Sequence, residues 1–405
     1  MGGIVLFRLA LRNLVRHRRR TLVTLAAVAV GITAVVGVRG VLDGLQGVLI
    51  DGVVEGGTGA LQIHRAGWAE SLDASPFALL IEDVDAVAAK AAAVDDVVAV
   101  APRLVFPGLL SVGEQSLIAR VTAVDPVREV KVSPQRAQQL VSGGGVAQPG
   151  DVVIGAELAS VAGASEGTVA AVLAGDVDGV LNGVDGKVSG RSAAIAQGEK
   201  RAVILHLESA RALLRTPGAA SEIAVAVRDR DDVDAVAARL RTALGPGFEV
   251  HTWMQLVPFV SDARATQNAV LSVLTGVFLV VILLGVANTL LMSVMERVRE
   301  IGTLVALGMR RRKVLALFVI EGGLLGALGA ITGCAVGVVI VTLLAHKGIV
   351  LQPPGASLPA TIHPVTSLLF LVRMTALGIA GAVVASFLPA WRASRMRPVE
   401  ALSSI

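Results

Sequence analysis

Apolar residues gather into four runs too long for the elements of a soluble core: Thr21 to Val38, Ala269 to Val294, Val314 to Ala345 and Thr366 to Ala390. At about 1.5 Å per residue, each reaches across the roughly 30 Å of a bilayer's hydrocarbon, so each predicts a membrane-spanning helix. The third and fourth runs are rich in glycine, and Gly322–Gly326 and Gly329–Gly333 form small-xxx-small pairs suited to close helix packing.

Between the first and second runs the pattern changes to alternating strand and helix periods. Leu61–Arg65 and Val97–Leu104 read as strands around a helix at Val84–Val94. Near the far end, Glu222–Val227 and Phe248–Trp253 read as strands around a helix at Asp231–Leu244. The heptapeptide Asp83–Ala89 recurs letter for letter as Asp232–Ala238. Beside a chance repeat in an Ala/Val-rich chain stands a second reading. In it, each Asp cluster caps a helix followed by a strand, and two such units build a small sheet with both helices on one face. The middle, residues 111–215, has further strand signals and Gly-rich turns at 143–145, 183, 186 and 190, predicting a mostly β subdomain inserted into the first.

Composition supports the membrane reading. Hydrophobic residues are 54% and charged residues 17%, below the ~25% usual for soluble chains, and the mean hydropathy is +0.72. A net charge of +4 with pI near 9.7 admits nucleic acid as a partner. The arginines, however, cluster at the ends of apolar runs, and only 3% of residues are aromatic with no Tyr, so a nucleic-acid surface is excluded. The placement reads as topology instead. Basic residues crowd the N-terminus (Arg8 to Arg20), the segment Arg297–Lys313 and the tail (Arg392, Arg395, Arg397), three regions on one side if every run spans. The positive-inside rule makes that side cytoplasmic. The 18-residue first run, with no small-x-small site after it, is an uncleaved span rather than a signal peptide.

The expected class is therefore a membrane α-helical protein with four transmembrane helices and a large external α+β domain. The divisions are 1–20, a leading amphipathic helix; 21–42, 263–295, 314–345 and 366–391, the spans; 43–262, the external domain; 296–313, a cytoplasmic segment; 346–365, an outer loop; and 392–405, a tail.

Candidate chemistry is sparse. Leu181–Val188 lacks the first Gly and the Ser/Thr of a Walker A loop, and no zincin or serine-hydrolase motif occurs. Asp176, Asp178, Asn182 and Asp185 lack calcium-loop spacing and read as a solvated turn. The single cysteine, Cys334, forms no intramolecular disulfide, and the six histidines show no ligand spacing. No catalytic, metal or cofactor site is expected. Of the polar residues in the spans, Asn288 is expected to hydrogen-bond a neighbouring helix, Arg373 to snorkel, and Arg39 and Asp43 to pair across one turn. Glu321 has two readings, a functional intramembrane carboxylate or one paired with a basic group.

The most ordered stretch is Met295–Lys313: charged, then an apolar helix over Ile301–Leu307, a stop at Gly308, and a basic restart. It describes a short helix on the membrane face presenting Glu296, Arg297, Arg299 and Glu300 to a partner. Glu296-Arg-x-Arg-Glu-Ile-Gly302, then Ala306-Leu-Gly308 and the basic run, resembles the coupling segment of MacB/FtsX-type ABC transporter permeases. Pro389–Leu402 is similar to that family's C-terminal signature, and Leu9–Arg20 to its amphipathic leading helix.

The resemblance implies that Glu296, Arg297, Arg299, Glu300, Gly302, Leu307 and Gly308 meet an ABC ATPase subunit. Asn288 and Glu321 fall where family members often carry those residues. It also implies a second permease copy or homologue as dimer partner, membrane lipid, and a periplasmic carrier or adaptor. ATP and Mg²⁺ would be held by the separate ATPase. A porter-like α/β part with an inserted β-rich part is implied for the external, periplasmic domain. The implied activity is mechanotransmission in the inner membrane with lipoprotein release as the first expectation. Alternatives are export of a peptide, antibiotic or other amphiphile, and FtsX-like regulation of an external cell-wall hydrolase.

Overall fold

A computed structural model describes residues 3–16, 18–71, 76–193, 200–306, 309–351 and 359–395. The chain divides into two units: Met1–Gln46 with Arg264–Ile349 and Thr361–Ile405, and Gly47–Ala263 with Val350–Ala360.

The chain opens with α1 (Gly3–Arg16) and α2 (Arg18–Val53), which ends in a π-helical turn, Val54–Thr58. The inserted domain follows as β1 (Leu61–Arg65), α3 (Val84–Ala92), β2 (Val97–Val112), β3 (Gln115–Val124), α4 (Pro126–Val132), a 3₁₀ turn at Pro134–Gln139 and β4 (Leu140–Gly143). It continues with β5 (Asp151–Gly155), α5 (Ala156–Ala162), β6 (Val169–Gly175), β7 (Leu181–Ser192), β8 (Ala202–His206), α6 (Leu207–Leu214), β9 (Glu222–Val227), α7 (Val233–Leu244), β10 (Phe248–Thr252) and α8 (Trp253–Leu256). The remainder is α9 (Pro258–Glu296), α10 (Val298–Ala306), α11 (Arg311–Lys347), the paired strands β11 (Ile349–Leu351) and β12 (Ala360–Ile362), and α12 (Leu368–Ser394).

Four of these helices, α2, α9, α11 and α12, are long and apolar enough to cross a membrane. α2, at 36 residues, runs well past the span expected at 21–42, whereas α9 and α11, at 39 and 37 residues, only slightly exceed those expected at 263–295 and 314–345. Their contacts show what the glycines do. A Cβ at Gly326 would sit 2.4 Å from that of Ala382 in α12, and one at Gly333 would sit 2.7 Å from the carbonyl oxygen of Ala29 in α2. The small-xxx-small pairs are thus consumed inside the chain, Gly322 and Gly326 against α12 and Gly329 and Gly333 against α2. Val28, Ile32, Ile282, Val286, Ala330 and Ala382 close the core among the four helices. Arg39 pairs with Asp43 at 2.8 Å and also donates to Asn268 at 3.1 Å, while Arg373 is exposed.

The inserted domain carries two cores on one sheet. The order β10-β1-β9-β2 is antiparallel throughout. Apolar residues of α3 (Val84, Val87, Ala91) and α7 (Val233, Val236, Leu240) pack with Leu61, Ile63, Ile223 and Val250. The repeated heptapeptide therefore does supply two helices to one sheet assembled from both ends of the domain. The copies differ in capping: Asp83 accepts from the Ala86 amide, whereas Asp232 makes no side-chain cap.

The middle is the expected inserted, mostly β part, with its own core, and it shares strand β2 with the first sheet. β2 continues to Val112, eight residues beyond the predicted strand, and its second half pairs with β3 and β6. Pairing then passes β3-β8-β5-β7-β6 and returns to β2, closing a ring of strands continuous with the first sheet. Inward positions alternate: Leu104, Phe106 and Leu110 from β2, Val121 and Ala123 from β3, Val172 from β6, Val203 and Leu205 from β8. Leu158 of α5 and Leu213 and Leu214 of α6 join the same core. A 16-residue strand can serve two cores because alternate side chains keep one face while the sheet's twist turns that face along its length. At the other end, Trp253 begins α8 rather than ending β10, since Thr252 and Gln255 form a capping box there.

Candidate functional site

The segment singled out in the sequence folds as a short helix between two long ones. α9 ends at Glu296, and α10 buries Ile301 and Gly302 while Glu300 and Thr303 stay exposed. Ile301 packs with Val294, Val314, Phe318, Ala390 and Ala393, fixing α10 against the ends of α9, α11 and α12. Leu307 and Gly308 lie outside the described residues.

The charged residues are not simply presented to a partner, as the sequence reading expected. Glu300 accepts from Arg16 at 3.0 Å and from Arg297 at 2.9 Å, and Glu296 accepts from Arg20 at 2.9 Å. The bond from Arg297, with help from Arg16 and against partial burial, holds the Glu300 carboxyl below the usual carboxylate range. Arg297 is only 11% exposed, 3.8 Å from Glu321 and over the Phe318 ring. Glu321 is buried and also faces the Asn13 amide at 3.5 Å. Arg299 is exposed.

Placement of α1 explains these pairs. Leu6, Ala10 and Leu14 repeat every four residues and are buried, and Leu6 and Ala10 pack on Leu317 of α11. That stripe brings Asn13 to Glu321 and Arg16 to Glu300. Sequence reasoning assigned the N-terminal arginines to topology alone. The available signal was the four-residue apolar repeat beside them.

Asn288 is a second correction. The buried stripe of α9 is Ile282, Val286, Leu290 and Val294, and Asn288 falls on the opposite, exposed side with no hydrogen bond among the described residues. One polar link between α2 and α9 is made next door, where the Thr24 and Thr289 hydroxyls share a hydrogen bond of 2.5 Å.

The inserted domain holds two buried polar groupings that the sequence did not reveal. Arg103 donates twice to Glu129, at 3.0 and 2.7 Å, once to Ser133 at 2.9 Å and once to Glu222 at 3.4 Å, while Arg136 approaches Glu129 at 3.2 Å. His64 is fully buried, stacked on Trp68 at 3.7 Å and bonded to Gln62, with His251 nearby. Burial first, then the neighbouring His251, lowers the His64 pKa to about 3. Asp176 accepts from the amides of Asp178 and Val180 and from Asn182, closing a turn. No cluster of metal-binding side chains occurs among the described residues.

These features define a membrane protein with a short charged helix between spans and a large inserted α+β domain. Residues 21–243 match the MacB-like periplasmic core domain, more than half of the 405 residues, and 272–398 match the FtsX-like permease C-terminal region. The chain belongs to this family of MacB/FtsX-type permeases. It is 29% identical over 398 residues to the macrolide export ATP-binding/permease protein MacB of Nitrobacter winogradskyi, covering 95% of this chain and 58% of that one. It is 28% identical over 214 residues to an uncharacterized ABC transporter permease of Methanocaldococcus jannaschii, covering 51% of each. The chain thus spans a little over half the length of these relatives. The pyoverdine export ATP-binding/permease protein PvdT of Pseudomonas putida is 33% identical over 189 residues, covering 45% of this chain and 27% of that one. Similar solved structures include the extracellular domain of the noncanonic ABC-type transporter YknZ from Gram-positive bacteria, with TM-score 0.35, 12% identity, and 47% of this chain and 99% of that one covered. The periplasmic region of MacB from Actinobacillus actinomycetemcomitans has TM-score 0.35 and 12% identity, with 50% of this chain and 92% of that one covered.

Proposed function

We propose that the chain is the permease part of an ABC transporter that receives the stroke of an ATPase at α10 and passes it through the spans to the inserted domain. ATP and Mg²⁺ belong to the ATPase, and a second permease copy or homologue completes the complex. The carrying observation is the build of α10: its apolar side is anchored on α9, α11 and α12, so a push on its exposed side is delivered to three long helices. Arginine placement supports a cytoplasmic position for α1, α10 and the tail, with the inserted domain on the outer side of the inner membrane.

For the cargo, relatives named for macrolide and pyoverdine export support outward movement of an amphiphile over lipoprotein release. Cargo would be handled by the inserted domains on the outer side, by mechanotransmission rather than passage through a pore, with a periplasmic adaptor or carrier receiving it.

The test is charge reversal of Glu296 and Glu300 to Lys, scored by ATPase association and turnover in reconstituted complexes. Because both carboxylates pair with α1, the compensated set Arg16→Glu, Arg20→Glu, Glu296→Lys and Glu300→Lys is scored in parallel. Loss of turnover in both supports ATPase contact. Turnover unchanged in the first variant overturns it, and recovery in the second assigns the glutamates to the internal pairs alone.

A further inference from the structure

α1 has an outward side that its contacts with α10 and α11 leave unused. Leu6, Ala10 and Leu14 are buried, and Asn13 and Arg16 turn to Glu321 and Glu300. The outward side also repeats by fours: Phe7, Leu11 and Val15 are 48%, 44% and 54% exposed. At about 100° per residue these three form one stripe, and Arg8 and Arg12 lie along its edge. Both arginines are exposed and make no hydrogen bond or ion pair among the described residues.

The packing also sets the level at which α1 lies. It rests on Leu317, next in the chain to Phe318, which shares a core with Ala390 and Ala393 of α12. Between those two alanines Trp391 is 40% exposed, with the Arg395 guanidinium 4.3 Å over its ring. An exposed tryptophan beside an arginine at the end of a spanning helix marks a membrane–water boundary. At that boundary, an apolar stripe edged by basic residues is the build of a helix lying in the interface.

Charge balance selects the headgroup. The first acidic residue of the chain is Asp43, so the six arginines from Arg8 to Arg20 have no acid of their own. Glu300 and Glu296 are taken by Arg16 and Arg20. Arg8, Arg12, Arg18 and Arg19 remain exposed, with no ion pair among the described residues. Membrane topology requires only their number, whereas lipid contact also requires their order beside an apolar stripe.

We propose that the outward side of α1 docks on anionic phospholipid, with Phe7, Leu11 and Val15 among the acyl chains and Arg8 and Arg12 at the phosphates. The assignment stands apart from the ATPase reading, since it concerns the side of α1 that faces away from α10.

The experiment follows hydrogen exchange over residues 3–16 of the full chain in two nanodiscs, one of phosphatidylcholine and one of equal parts phosphatidylcholine and phosphatidylglycerol. Each guanidinium at an anionic surface strengthens contact about fivefold, so exchange should be at least about fivefold slower in the mixed discs. The difference should vanish in about 1 M salt, where the screening length falls to roughly 3 Å. Arg8→Gln with Arg12→Gln should remove it, and Arg8→Lys with Arg12→Lys should keep most of it. Both positions are exposed, so neither pair disturbs the packing on α11. A difference that survives the glutamine pair overturns the proposal. Equal exchange in the two discs overturns it as well, and loss of ATPase association in the glutamine pair would then assign these arginines to the ATPase.

Discussion

Replacing Arg103 by Met leaves two buried carboxylates without their shared cation. Arg103 is 2% exposed, and Glu129 and Glu222 are 3% and 6% exposed. The side chain makes four hydrogen bonds, three of them to those carboxylates. Breaking a buried ion pair by removing one partner costs about 3–5 kcal/mol, because the stranded charge has lost its solvent as well as its partner. For a unit of this size each kcal/mol moves Tm by roughly 2–4 °C, so the inserted domain should melt at least about 6 °C lower. Tryptophan emission of the purified chain reports this, since Trp68 and Trp253 lie in the inserted domain, and a Trp391→Phe background removes the signal of α12. The triple variant Arg103→Met, Glu129→Gln, Glu222→Gln removes the stranded charge while keeping the shapes, and should recover much of the loss. pH gives an independent check. In the native chain burial raises the Glu129 carboxyl, but Arg103 and Arg136 outweigh it and hold it low. Its stabilisation is therefore present above the unfolded carboxylate pKa and lost as pH falls through the folded one. Without Arg103 the same carboxyl is raised by burial, so the variant's deficit should be larger at pH 8 than at pH 5. A Tm shift under about 2 °C, or a triple variant as unstable as the single, would refute the reasoning.

Other consequences follow from the same geometry. His64 stays neutral in the fold to about pH 3, while its unfolded value is 6.5. The unfolded chain therefore takes up a proton that the folded one refuses, costing about 2 kcal/mol between pH 7 and pH 5. His64→Phe should flatten that acid limb in pH-dependent melting while retaining the stack on Trp68. Gly326→Val should prevent α11 and α12 from closing, seen as loss of the monodisperse peak in size-exclusion chromatography, because even the first added carbon meets Ala382 at 2.4 Å. Gly285→Val in α9, where an added Cβ meets nothing within 4 Å, should leave the peak unchanged. Arg16→Glu should loosen α1 from α10, read as faster hydrogen exchange over residues 298–306, and Glu300→Arg in the same chain should restore it.

Much of the layout was legible in the sequence because it follows from periodicities within single elements. Four long apolar runs, strands at Leu61–Arg65 and Glu222–Val227, and the twin helices after Asp83 and Asp232 each announce themselves locally. So does the break between α9 and α11, where charge replaces apolar sequence. The family resemblance rested on that same local order.

What the tertiary structure decided is partner choice between segments far apart in the chain. Arg16 meets Glu300 across 284 positions and Arg20 meets Glu296 across 276. The apolar repeat of α1 shows that the helix packs, but not which acid Arg16 or Arg20 meets. No local pattern joins Arg103, Glu129 and Glu222, which sit on β2, α4 and β9. Only the crossing of α4 over the sheet makes them a buried set. The closed strand ring is of the same kind, because β2 chooses β6 as well as β9 and β3 through packing that no local window contains. Periodicity fixes which face of an element is apolar, while long-range packing alone fixes what that face meets.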